Sequence, residues 1–240
     1  MNLSIHPEAR SANVAAANLL ADWLQTPGVR NVMLPGGNTP LELYRLIAAR
    51  RLALGHLHVF ALDEYVGVPP EDPLNCANLI RRSAVEPWNV PLDQYAWVSS
   101  VASEAESSVK AHEARIERAG GLDVLVLGLG QNGHIGFNEP GSTEDSGARI
   151  VDLDPVSVEA NRRWFGGRYA PNQGATVGMK TILNARRILV LAYGAHKAAA
   201  VKAMVRGPRG PACPASWLQS HPAVTVVLDA AAASALDVGT

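Results

Sequence analysis

The stretch from Leu122 to Gly141, LDVLVLGLGQNGHIGFNEPG, decides the fold. Its first half is an apolar run bounded by glycines, the pattern of a central parallel strand buried on both faces. The carboxyl end of such a strand is where an open α/β sheet keeps its ligand. There the chain carries His134 and Glu139, five residues apart among glycines that let a ligand approach the backbone. A histidine and a carboxylate so placed are suited to proton transfer, which makes this loop the first candidate for an active site.

Outward from this strand, two kinds of element alternate. An alanine- and leucine-rich helix is expected over Ala9 to Leu24, then a strand over Val29 to Leu34 and a helix from Pro40 to about Arg51. A strand near His58 to Leu62 follows, with helices over Cys76 to Ala84 and Ser103 to Arg118. Beyond the central strand come strands at Arg187 to Tyr193 and Val224 to Leu228, with a helix from about Ala195 to Val205 between them. Repeated strand and helix predict an α/β chain: one Rossmann-like domain spanning residues 1–240, its open sheet mainly parallel with helices on both faces. Residues 139–174, rich in Gly, Pro and charge, are long for an ordinary connection and are expected to form a lid.

Composition narrows the function classes. With 21 Lys and Arg against 22 Asp and Glu in 240 residues, the formal net charge is -1, so neither nucleic acid nor an anionic membrane is attracted globally. Any anion must be held locally. Cys76 and Cys213 lie far apart, no membrane span or secretory leader is visible, and a reducing cytoplasm is expected. His6, His56, His58, His112, His196 and His221 show no metal-ligand spacing, and no serine sits in a G-x-S-x-G elbow.

Two helix starts are candidate anion sites. After Leu34 comes Pro35-Gly36-Gly37-Asn38-Thr39-Pro40-Leu41-Glu42, in which Thr39 and Glu42 have capping-box spacing and Pro40 suits the first helical position. The glycines before it leave N–H groups free to face a phosphate, or else simply make a tight turn. At Gly194-Ala195-His196-Lys197, a lysine near a helix start opposes the dipole unless an anion sits there. Arg163, beside Trp164 and Phe165, is read either as an anion ligand or as a stacked side chain.

Asp63 and Glu64 close the strand at His58 to Leu62. One is expected to face the site as a base toward a carbon-bound proton; the alternative is that one simply caps Tyr65-Val66-Gly67. Gly128 to Gly133 also fits G-x-G-x-x-G, but the glycines and Pro140 that follow would break the helix a dinucleotide site requires, which argues against such a cofactor.

Together these segments resemble the glucosamine-6-phosphate deaminase (isomerase) family, within the superfamily that also contains 6-phosphogluconolactonase. The markers are Gly36-Gly37-Asn38-Thr39-Pro40, Leu62 to Gly67, Gly130 to Pro140, Asn161 to Phe165, Thr176-Val177-Gly178, Gly194 to Lys197 and Pro214 to His221. The Asn138-Glu139-Pro140 ending and Tyr65 after the acidic pair are features that lactonases usually lack. The resemblance implies conversion of a hexosamine phosphate to fructose 6-phosphate and ammonia, with no metal or organic cofactor.

By residue match, His134 helps open the sugar ring with support from Glu139, and Asp63 moves the proton from C2 to C1. Gly37, Thr39, Arg163 and Lys197, with Gly36 and Asn38 in the same loop, hold the phosphate. Two departures stand out. Asn132 occupies a position where many members carry an aspartate that orients and charges the histidine, and the Gly36 to Thr39 loop has an extra residue, as in the lactonase branch. Alternative substrates are therefore a galactosamine phosphate or a sugar-acid lactone, the latter with His134 activating water. A non-catalytic sensor is disfavoured, since no basic segment suits a DNA-binding domain. Family members range from monomers to hexamers, so a homo-oligomer is allowed; the short chain points to a small, unregulated assembly.

Overall fold

The computed structural model describes residues 1–236. The chain runs through β1 (Asn2–His6), α1 (Ala9–Leu24), β2 (Asn31–Leu34), α2 (Leu41–Ala49) and β3 (His58–Ala61). Next come β4 (Asp63–Tyr65), α3 (Cys76–Ile80), β5 (Tyr95–Ala96), α4 (Ala102–Arg118) and β6 (Val124–Gly128). The last third holds β7 (Arg149–Asp152), α5 (Pro155–Trp164), β8 (Gln173–Thr176), α6 (Met179–Leu183), β9 (Arg187–Ala192), α7 (Ala198–Arg206) and β10 (Val224–Asp229). Seven strands form one parallel sheet in the order β1-β10-β9-β6-β2-β3-β5.

The strand at the head of the quoted stretch lies in the middle of this sheet, between β2 and β9. Its side chains alternate between two cores. Leu125 and Leu127 pack with Met33, Ile188, Val190 and residues of α6 and α7, while Val124 and Val126 pack with Leu20 of α1, Leu43 of α2 and Leu189. Every one of these β6 side chains is inaccessible to solvent, so the apolar run reflects a strand with no wet face. The architecture is the Rossmann-like open sheet that the sequence predicts.

Three features depart from that expectation. β1 adds an edge strand before the first helix, with Leu3 and Ile5 partly exposed, so its pattern carries no core signal. A small antiparallel sheet, β4-β8-β7, stands apart from the main one. The helix expected over Cys76 to Ala84 is α3 followed by one π-helical turn, Arg81–Val85. The segment 139–174 is also more ordered than a loop, since it carries β7 and α5. It is fastened to the β4–α3 connection by the Arg168 to Asp72 ion pair and by the Trp164 indole N–H donating to the Leu74 carbonyl.

Candidate active site

Strand order reverses across β2 and β6: from β2 the chain builds toward β3 and β5, and from β6 toward β9 and β10. At such a switch point the loops leaving the two strands diverge and open a crevice at their carboxyl ends. A cavity of about 190 Å³ lies there, lined by Gly36, Gly37, Asn38 and Thr39 after β2, by Asp63, and by Gly130 and His134 after β6. Ser157 and Asn161 of α5 and Lys197 ahead of α7 complete the wall.

The two glycines of the β2–α2 loop are needed for different reasons. A Cβ on Gly36 would meet the Cys76 sulfur at 2.6 Å, and Gly37 has φ +98°, a left-handed backbone. The expected capping box does not form. Helix α2 begins at Leu41 after Pro40, without a side-chain cap, because Glu42 turns away to grip Arg45 through two short contacts of 2.6 and 2.7 Å. Thr39 instead faces the cavity.

Asp63 and Glu64 divide their work. Glu64 accepts N–H groups from Tyr65, Cys76 and Ala77 at 2.8 to 2.9 Å, tying β4 to the start of α3 rather than capping the Tyr65-Val66-Gly67 turn alone. Asp63 lines the cavity. Burial pushes the Asp63 carboxyl up to about 7, with the Glu64 charge adding to the rise and the Cys76 thiol opposing it. Burial raises Glu64 as well, against the pull of its backbone donors. Three N–H donors favour the ionised form of Glu64, so the pair's first negative charge rests there and Asp63 is the member whose proton is held longer.

On the β6 loop, the imidazole of His134 meets Glu139 through Nδ1, 3.2 Å from Oε2. The loop has no room beside the ring: a Cβ on Gly130 would lie 2.5 Å from three of its atoms. Burial alone would raise the Glu139 carboxyl, but hydrogen bonds from His134, Ser157 and Asn132 outweigh it and hold the group below its ordinary value. Asn132 makes no hydrogen bond to the imidazole. Its amide donates to Glu139 Oε2 at 2.7 Å and its carbonyl accepts the His134 backbone N–H at 3.2 Å, so it orients the carboxylate instead.

Lys197 reaches the cavity from the turn at Gly194, and burial lowers its ammonium pKa. Among the described residues no carboxylate lies within ion-pair distance of it. Arg163 is not brought into this group. It sits on the outer face of α5, with 74% of its side chain exposed and its guanidinium 3.3 Å from Glu159. Ser157 is not apparent from the sequence as a site residue, and Asn161 enters there only as part of the Asn161 to Phe165 marker. Their spacing of four places both on the buried face of α5, a polar pair on a helix face that reads as ordinary until its neighbours are known.

Among the described residues no helix is long and apolar enough to cross a membrane, and both cysteines are free and buried. Residues 7–227 match the family model of glucosamine-6-phosphate isomerases/6-phosphogluconolactonase. A glucosamine-6-phosphate deaminase of Rhodopirellula baltica is 40% identical, over 99% of this chain and 96% of that protein. One of Streptomyces coelicolor is 37% identical, over 98% and 93%. Among solved structures, a monomeric glucosamine-6-phosphate deaminase superposes with TM-score 0.93 at 30% identity, covering 98% of this chain and 100% of the other. The 6-phosphogluconolactonase of Trypanosoma cruzi superposes with TM-score 0.80 at 20% identity, over 98% and 96%, a likeness of fold alone.

Proposed function

The chain belongs to the family of glucosamine-6-phosphate isomerases and 6-phosphogluconolactonases, and we propose that within it this protein is an isomerising deaminase, turning glucosamine 6-phosphate and water into fructose 6-phosphate and ammonia. The observation that carries this reading is Asp63, a buried carboxyl whose pKa burial raises to about 7, in the same cavity that His134 lines. Hydrolysis of a lactone requires no carbon-bound proton to move. An aldose-to-ketose shift does, and a base that binds and releases a proton near pH 7 suits it.

In this reading the phosphate sits on the Gly36 to Thr39 loop, where free N–H groups and Lys197 supply the positive field. His134, held by Glu139, serves the ring oxygen as the pyranose opens to the aldehyde. Asp63 then takes the proton from C2, giving an enolamine, and returns it at C1. The resulting C2 imine adds water and expels ammonia, leaving the ketone. Arg163, on the outer face of α5 beside Glu159, has no part in this arrangement.

Purified protein incubated with glucosamine 6-phosphate should release ammonia and fructose 6-phosphate in equal amounts, with 6-phosphogluconolactone run in parallel. Asp63→Asn should abolish exchange of the C2 proton with solvent while phosphate binding survives. Hydrolysis of the lactone without ammonia release would replace this reading with the lactonase one.

A further inference from the structure

The His134–Glu139 pair belongs to the loop after β6, yet its shortest hydrogen bond comes from another element. The Ser157 hydroxyl on α5 lies 2.5 Å from Glu139 Oε1 and 3.3 Å from His134 Nδ1. Glu139 Oε2 is taken by the Asn132 amide at 2.7 Å and by the imidazole at 3.2 Å. A carboxylate with a donor on each oxygen has one orientation, and the imidazole bound to it through Nδ1 has its other nitrogen left for the substrate. Deleting the Ser157 oxygen frees one end of that clamp.

Among the described residues the hydroxyl makes no other hydrogen bond. Helix α5 is capped by Asp154, whose carboxylate accepts the Val156 N–H at 2.8 Å, and Asn161 one turn further on donates to the Pro171 carbonyl. Helical serines commonly bond back to the carbonyl four residues earlier. Ser157, buried at 6% exposure, is directed to Glu139 instead and lines the cavity.

We propose that Ser157 is a positioning residue through which helix α5 fixes the orientation of Glu139, and with it the imidazole that acts on the sugar ring oxygen. The inference rests on the deaminase reading for its substrate, and on geometry for the contact itself. Full-length Ser157→Ala and Ser157→Thr proteins test it. With glucosamine 6-phosphate, Ser157→Ala should lose about tenfold in kcat, with KM changed less than about twofold, and Ser157→Thr should recover most of the loss.

Carbon NMR of labelled glutamate side chains, with the Glu139 signal assigned through Glu139→Gln, supplies a readout that needs no turnover. Losing a donor to the charged form must raise the Glu139 titration midpoint in Ser157→Ala and leave it in place in Ser157→Thr. An unchanged kcat, or a fall in kcat with the midpoint unmoved, overturns the proposal. If the native protein releases no ammonia, the functional reading fails while the NMR result still decides whether Ser157 holds Glu139.

Discussion

Asp63 makes opposite demands on activity and stability. Its folded pKa is raised from 3.8 to about 7, so the folded chain takes up this proton before the unfolded one does. Above pH 7 the buried charge therefore weighs against folding, and the burden is relieved as pH falls toward 4. Catalysis runs the other way, because the base works ionised, so kcat/KM should show an acid limb near pH 7. Asp63→Asn, which removes the charge at constant size, should then melt at least about 3 °C higher than the native protein at pH 8. The difference should shrink at pH 5, and a lower melting temperature at pH 8 would show that the charge is better compensated than its surroundings indicate. The position of His134 and of the Asp63-Glu64 pair at the carboxyl ends of strands was legible from chain order, whereas the choice of Asp63 over Glu64 came from the family resemblance and not from the pattern. Ser157 was not legible, since its meaning depends on a partner 18 residues away. Of the two roles expected of Thr39, the helix cap does not form, because Glu42 pairs with the Arg45 guanidinium on the exposed face, while its place on the cavity wall suits the other.

Among the elements, the short strand β4 and the short helix α3 depend on one side chain. Glu64 accepts three backbone N–H groups, two of them from the first turn of α3, which otherwise has Asn75 as its cap. Glu64→Ala leaves those donors buried without acceptors and should cost roughly 2–4 kcal/mol in denaturant unfolding. An effect below about 1 kcal/mol would mean that water replaces the carboxylate. The acidic pair was visible as such in the sequence, but not that its second member reaches 13 residues along the chain to start a helix. α1 and β9 were legible with nearly correct bounds because an Ala- and Leu-rich run without breakers and an unbroken apolar run each mark their own ends. β1 escaped because an edge strand with exposed Leu3 and Ile5 has no buried face to pattern, and β7 and β8 because four residues of mixed polarity, Arg149–Asp152 and Gln173–Thr176, are too few to show a period.

At the scale of the whole molecule, alternation of strand and helix was enough to give the layered architecture, and the end of β6 was enough to place the crevice. The order of strands was not legible, since parallel pairing involves contacts far apart in sequence and many orders share one pattern of elements. That order places β1 at the edge, paired with β10, while α1 packs on β9 and β10. β1 and α1 therefore await strands that are synthesised well after them. At about 5–20 residues per second, the roughly 200 residues between the end of α1 and the end of β10 take about 10–40 s to appear. Through that interval the apolar stripe of Ala16, Ala17 and Leu20 has α2 for company but no completed sheet behind it. A nascent chain stalled at residue 186, before β9, should remain open to protease across α1, whereas release of the full chain should close it; protection of α1 in the stalled chain would show that half the sheet suffices. Synthesis itself thus becomes the period of greatest exposure to chaperones and proteases, and a helix read with ease from its sequence is among the last to find its place.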